Sequence, residues 1–174
     1  FLDANGFDGA WIGDSPPLGW GDVYATLALC AVATNRIKLR TGVTNPLTRQ
    51  ALVTANAIAT IDQLAPGRTD LGIGTGDSAL RATGGKPAKL EQLAETVAAI
   101  RRTFVERGQR IPIYIAASGP KALELAGRIG DGAIISVGTH PSLVRQALQH
   151  VAIGAAAARR SPTDLDLAFM AGLS

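Results

Sequence analysis

Short, continuous apolar runs alternate along the chain with longer stretches of helical periodicity. Residues 9–13 (GAWIG) form one such run, closed by Asp14. Residues 22–34 predict a helix: Val23, Leu27 and Cys30 recur at helical spacing, and Asp22 stands where an N-cap belongs. A strand over 37–41 follows, closed by Gly42, then a helix over 50–64 stopped by Pro66-Gly67. Residues 69–74 predict a strand that runs into a glycine-rich turn. The longest helix spans 89–107, with Leu90, Leu93, Val97, Ile100 and Phe104 on one face. A strand over 111–116, a helix over 120–129 led by Pro120, a strand over 132–137, an Ala-rich helix over 142–159 and a strand over 165–171 complete the pattern.

The apolar runs do not alternate with polar residues, which marks strands buried on both faces of a parallel sheet. A helix joins each to the next, so the units are βαβ. Strand starts lie about 31 residues apart, and eight such units need roughly 250 residues, the usual size of a (β/α)₈ barrel. Six strands are present. The pattern therefore suggests an α/β chain forming an incomplete (β/α)₈ TIM barrel, with about six of eight βα units, as a single domain over 1–174. A doubly wound open sheet is the rival, because six strands would complete it. No linker or internal boundary interrupts the pattern.

Composition narrows the class. With 47% apolar residues, 18% charged and a mean hydropathy of +0.18, the 174-residue chain has ample surface to bury and is not a disordered tail. Aromatics make up 5% and glycines number 20, so the core is built from small side chains. The net charge is +3, but Lys and Arg are scattered and no basic stripe with interleaved aromatics appears, so no nucleic-acid partner is expected. One cysteine, Cys30, excludes a disulfide framework and reads as a buried thiol. No run is long enough to span a bilayer and no signal-peptide pattern opens the chain, so a cytoplasmic location away from membranes is the expectation.

Chemistry in parallel α/β folds gathers at the carboxyl ends of strands. The loops there read GDSPPLGWGD (13–22), RTGVTNP (40–46), GIGTGDS (72–78), AASGP (116–120) and SVGTHP (136–141). In AASGP, Ser118 and Gly119 sit at the N-cap and Pro120 in the first turn, so free N–H groups favour an anion. An ordinary capped helix is the plainer reading. Ser136 and Gly138 add a hydroxyl and close backbone approach. GIGTGD departs from the dinucleotide fingerprint at Asp77, and no phosphate loop is present. Its glycines suit a flat ring against the backbone with Asp77 or Ser78 at the ring's polar edge, or simply a tight turn. Gly42 marks a bulge or a turn before Pro46, with Thr44 and Asn45 as hydrogen-bonding groups. His140 lies in a loop and His150 in a helix. Neither belongs to a metal-spaced cluster, and Ser118 lacks a nucleophile-elbow context.

Five stretches, GFDGAWIGDS, TNRIKLRTGVTNPLTRQ, ATIDQLAPGRTDLGIGTGDSA, IPIYIAASGPKALELAG and DGAIISVGTHP, run through nearly the whole chain. In that order they resemble the bacterial luciferase-like superfamily, in its deazaflavin branch with methylenetetrahydromethanopterin reductase and coenzyme F(420)-type glucose-6-phosphate dehydrogenase. The resemblance implies the barrel rather than the open sheet. It implies a cis Gly42-Val43 peptide in a bulge behind the deazaflavin ring, Thr44 and Asp77 near the ring or its tail, and a phosphate held by Ala117, Ser118 and Gly119 with help from Ser136. It implies hydride transfer between coenzyme F(420) and a small-molecule substrate, with Asp14, Ser15 and Trp20 on the reacting side. Ser15 departs from the family pattern, which often has histidine after the aspartate, so Ser15 offers at most a hydrogen bond. Two alternatives are an FMN-dependent monooxygenase of the same superfamily and a non-catalytic barrel binding a phosphate ligand. Relatives are often dimers, so a homodimer is allowed. The family often carries a longer insertion between Phe104 and Ile111.

Overall fold

A computed structural model describes residues 1–15 and 18–172. The chain divides into two compact units, Phe1–Ile111 and Pro112–Ser174. In the first, β1 (Gly9–Ile12), β2 (Lys38–Thr41) and β3 (Thr69–Ile73) pair in parallel in chain order. Between and after them come α1 (Val23–Ala33), α2 (Ala51–Leu64), a short α3 (Asp77–Arg81) and α4 (Leu90–Glu106). In the second, β4 (Ile113–Ala117), β5 (Gly132–Ile135) and β6 (Asp166–Phe169) pair in parallel, with α5 (Pro120–Ile129) and α6 (Pro141–Ala157) as crossovers.

The continuous apolar runs mark buried strands in part: every residue of β3 and β5 is buried, but β1 is half-buried throughout and β6 is exposed at both ends. Leu27, Ile58, Leu71, Ile73, Leu93 and Ile100 fill the first core and are almost fully covered. Each such side chain contributes about 1.5–3 kcal/mol relative to exposure. Two expectations shift. β4 starts at Ile113, not at residue 111, and Pro112 just before it has no N–H to give a ladder. Cys30 is only half-buried, because α1 turns Leu29 and Val32 outward and Cys30 sits between its faces.

Side chains close the gaps that backbone bonds leave. The Arg68 guanidinium donates to the carbonyls of Ala31, Thr34 and Ile37 at 2.9–3.2 Å, capping the end of α1 where its last carbonyls lack partners. Trp11, Arg40 and Asp70 share one rung of the first sheet. Arg40 lies 4.9 Å from the Trp11 ring centroid and donates to the buried Asp70 carboxylate at 2.7 Å, with Lys38 3.5 Å from its second oxygen. The Asp3 carboxylate accepts the N–H groups of Asn35, Arg36 and Ile37 at the entry to β2, and these bonds, that of Ile37 foremost, hold its pKa down at about 2.

The tightest packing is α5 against α6. A Cβ on Gly127 would meet the Val151 carbonyl at 2.1 Å, and one on Gly154 the Glu124 carbonyl at 1.9 Å. Backbone cannot yield as a flexible side chain can. His150 is half-buried beside this crossing, with Nδ1 2.9 Å from Glu124.

Gly154→Ala and Gly127→Ala should each lower stability by about 3 kcal/mol or more in denaturant titrations, the upper range for overpacking. Gly21→Ala, whose Cβ would meet only Thr26 Oγ1 at 3.6 Å, should change it little. Asp3 should stabilise the fold fully above its unfolded pKa near 4. A depressed carboxylate loses that contribution as pH falls through its folded value, here about 2. Asp3→Asn should therefore shrink the gap in stability between pH 5 and pH 2, measured by urea unfolding at each pH.

Candidate functional site

In the first unit the strand ends are organised by a one-residue bulge. Arg40 pairs with Asp70, and Thr44 bridges Ile73, so four steps along β2 face three along β3. The Gly42-Val43 peptide within the bulge is cis. Only glycine fits at 42, because a Cβ there would lie 2.8 Å from Trp11 Cβ. The fully buried Thr41 hydroxyl replaces the missing ladder bonds, donating to the Gly72 carbonyl at 2.7 Å and accepting from the Gly72 N–H at 2.9 Å. Thr44 then rejoins the ladder: its N–H donates to Gly72 O at 3.0 Å and its carbonyl accepts from Gly74 N at 2.9 Å.

This re-entry aims the next residues at the end of β1. Asp14, Ser15, Thr44 and Asn45 are all more than nine-tenths buried. Thr44 Oγ1 donates to Asp14 Oδ2 at 2.7 Å and accepts from the Tyr24 hydroxyl at 3.0 Å. Burial pushes the Tyr24 phenol up from its ordinary pKa, so it stays a protonated donor. Asn45 Oδ1 accepts the N–H groups of Leu47 and Thr48, which fixes its amide and leaves Nδ2 buried with no partner. Ser15 Oγ is likewise buried with no partner among the described residues. Gly76, at φ 81°, lies so close to Asn45 that a Cβ would stand 2.7 Å from the Asn45 Cβ.

Outside this group, Arg49 pairs with Asp22 and lies 4.6 Å from the Tyr24 ring centroid. Asp22 caps α1 through Tyr24 N and Ala25 N. The bond from Ala25, followed by Arg49, holds its carboxyl below the usual range. Trp20 is 53% exposed, and its ring fills the place a Gly13 Cβ would take. Pro16 and Pro17 lie outside the described residues. Asp77 opens α3, a helix the sequence pattern misses, and its carboxylate accepts from Arg81 Nε at 2.7 Å.

In the second unit, α5 begins at an open N-terminus. Its N-cap is Gly119 alone, with no side-chain cap, rather than Ser118 with Gly119. Ser118 is exposed, and nothing lies within 4 Å of where a Gly119 Cβ would stand. The first turn therefore presents uncapped N–H groups at Lys121 and Ala122. Ser136 follows β5: its N–H donates to the Ala117 carbonyl at 3.1 Å, and its hydroxyl has only a long contact to Met170 Sδ at 3.9 Å. His140 caps α6, its Nδ1 2.7 Å from Ser142 Oγ, which is a structural use. Among the described residues, no cluster of His, Cys, Asp or Glu could hold a metal, and no helix is long and apolar enough to cross a membrane.

The sequence matches the luciferase-like monooxygenase family over residues 1–174. The chain belongs to that family. It is 37% identical, over 99% of its length, to 5,10-methylenetetrahydromethanopterin reductase of Methanolobus tindarius, and covers 58% of that protein. It is 34% identical, over 93%, to F(420)-dependent glucose-6-phosphate dehydrogenase of Beutenbergia cavernae, again covering 58%. Among solved structures, the coenzyme F(420)-dependent tetrahydromethanopterin reductase of Methanopyrus kandleri superposes with a TM-score of 0.85 at 27% identity, over 97% of this chain and 58% of that one. The fold class is that of the (β/α)₈ TIM barrels, with six of the eight strands among the described residues. The chain thus spans under three-fifths of these family members. The first alignment runs over 193 positions, more than the chain has, so that relative carries residues inside the aligned span that this chain lacks.

Thr41→Val should cost about 1–2 kcal/mol, because it leaves the buried Gly72 N–H without a partner, while the Gly72 carbonyl keeps the Thr44 N–H. Thr41→Ser should recover most of the loss in the same denaturant titration.

Proposed function

We propose that the chain works as an oxidoreductase that transfers a hydride between coenzyme F(420) and a small organic substrate. The observation that carries this reading is the bulge at Gly42-Val43, bordered by buried and partly unpartnered polar groups, in a chain over a third identical to enzymes of the deazaflavin branch. The residues present suit such a group in two respects. The orphaned Ser15 Oγ and Asn45 Nδ2 mark a polar region at the ends of β1 and β2 that its own side chains do not complete. The open N-terminus of α5 suits a phosphate, as uncapped N–H groups and the helix dipole favour an anion.

On this reading Gly42, Val43 and Thr44 bed the ring, and Ala117, Ser118 and Gly119 hold the phosphate by backbone, with Ser136 beside them. Asp77 reaches the polyol tail only after leaving Arg81. Asp14 and Ser15 face the reacting side, and Trp20 walls off water. The bound deazaflavin supplies the hydride chemistry, while the protein supplies position and a dry site. With serine at 15 there is no imidazole at that position, and Ser15 offers only a hydrogen bond.

Titrating the full chain with the deazaflavin and, in parallel, with flavin mononucleotide tests this by fluorescence. Deazaflavin binding is expected. Flavin binding with oxygen consumption, or binding of neither, would overturn the reading. Ser118→Asp places a carboxylate at the phosphate position and should weaken deazaflavin binding about tenfold or more. Unchanged affinity would remove the phosphate site from α5.

A further inference from the structure

The buried phenol of Tyr24 plays no part in the reading above. Tyr24 lies in the first turn of α1, is 7% exposed, and has no ligand-facing place of its own. A buried tyrosine needs a partner for its hydroxyl. It donates to Thr44, 20 residues on, in the residue pair that follows the bulge, and the Thr54 hydroxyl of α2 bonds it as well. Thr44 has one hydroxyl proton and gives it to Asp14 Oδ2 at 2.7 Å. The second carboxylate oxygen of Asp14 accepts no hydrogen bond from the described residues. The donors thus run in one direction, Tyr24 to Thr44 to Asp14, and a chain of this kind strengthens each of its bonds.

The tyrosine is itself pinned. Arg49 lies over its ring at 4.6 Å and pairs with Asp22, whose other bonds cap the same helix turn. Two loops are thereby tied together behind the relay: the one after β1, which carries Asp14 and Asp22, and the one after β2, which carries Thr44 and Arg49. The buried geometry leaves the outer oxygen of Asp14 as a fixed acceptor. Its chemistry is specific. A carboxylate so held takes a hydrogen-bond donor, a hydroxyl or ring N–H, and repels an anionic group.

We propose that Tyr24 is a positioning residue that acts through Thr44 to fix Asp14 as an acceptor for a hydroxyl or N–H of the bound ligand. The proposal rests on the deazaflavin reading for the identity of that ligand, but not for the relay itself.

Two measurements separate these. In the ligand-free protein, the Asp14 side-chain carboxyl carbon resonance should move in Thr44→Val and, by less, in Tyr24→Phe. It should stay near its wild-type position in Thr44→Ser, which keeps the hydroxyl. A purely structural tyrosine would leave that resonance still in Tyr24→Phe, which retains the ring and the Arg49 contact, and this result would overturn the relay. Deazaflavin affinity, read by fluorescence, should fall about fivefold in Tyr24→Phe and about tenfold in Thr44→Val, with Thr44→Ser close to wild type. Wild-type affinity in both of the first two variants would overturn the role in ligand binding. Failure of the wild-type chain to bind the deazaflavin would overturn the reading beneath the ligand's identity, while the resonance shifts still decide the relay.

Discussion

A single extra residue in β2 sets the position of everything at the ends of the first three strands. Without the bulge, Thr44 would fall one step out of register and its side chain would leave the face that meets Asp14. With it, Thr44 rejoins the ladder opposite Ile73 and its hydroxyl reaches across to the end of β1. The bulge is held without loose backbone groups because Thr41 answers both the N–H and the carbonyl of Gly72. It is held without crowding because residue 42 has no Cβ to meet Trp11. Sequence, backbone and site are therefore one problem here: a glycine and two threonines within four residues build the bulge and aim its product.

Buried polar groups in the first unit differ in how far they are finished. Asp3 and Asp22 are occupied with cations or backbone N–H groups, and Asp70 Oδ2 takes Arg40, while Asp70 Oδ1, Thr69 Oγ1 and Gln109 Oε1 are buried without a hydrogen-bond partner among the described residues. Ser15 Oγ and Asn45 Nδ2 are buried and unfinished, and both adjoin the Asp14–Thr44 bond. A buried donor without a partner destabilises by about 1–3 kcal/mol, so a fold retains one mainly where a ligand completes it. The second unit shows the same division at its helix starts. His140 caps α6, Ser161 caps the 3-10 turn before β6, and α5 alone begins on a bare Gly119.

Much of the fold is legible because β3, β4 and β5 are buried apolar runs and the helix crossovers carry plain punctuation. Asp22 caps α1 as its position suggests, and Pro120 opens α5 where the helix was placed. The short α3 was not legible: five residues show no helical period, and the glycines on either side read as turn. The cis Gly42-Val43 peptide was anticipated only through family resemblance, since nothing in spacing demands it. Asp14 and Thr44 were named one by one, but their bond joins residues 30 apart and needs the register of two strands. In sequence Tyr24 reads as an ordinary helix residue. Its one signal was a hydroxyl in an apolar helix, which asks for a partner without saying where. Asp77 looked free in sequence because an i,i+4 pair with Arg81 exists only once the residues are helical.

On the proposed reading the bulge beds a ligand ring and the start of α5 seats a phosphate. An amide-resolved NMR titration of the full chain with the deazaflavin addresses both claims in one measurement. It should move the amide resonances of Val43 and Thr44 in the bulge, and of Lys121 and Ala122 at the head of α5, more than any others. Binding that leaves these four amides in place while shifting others would contradict the account.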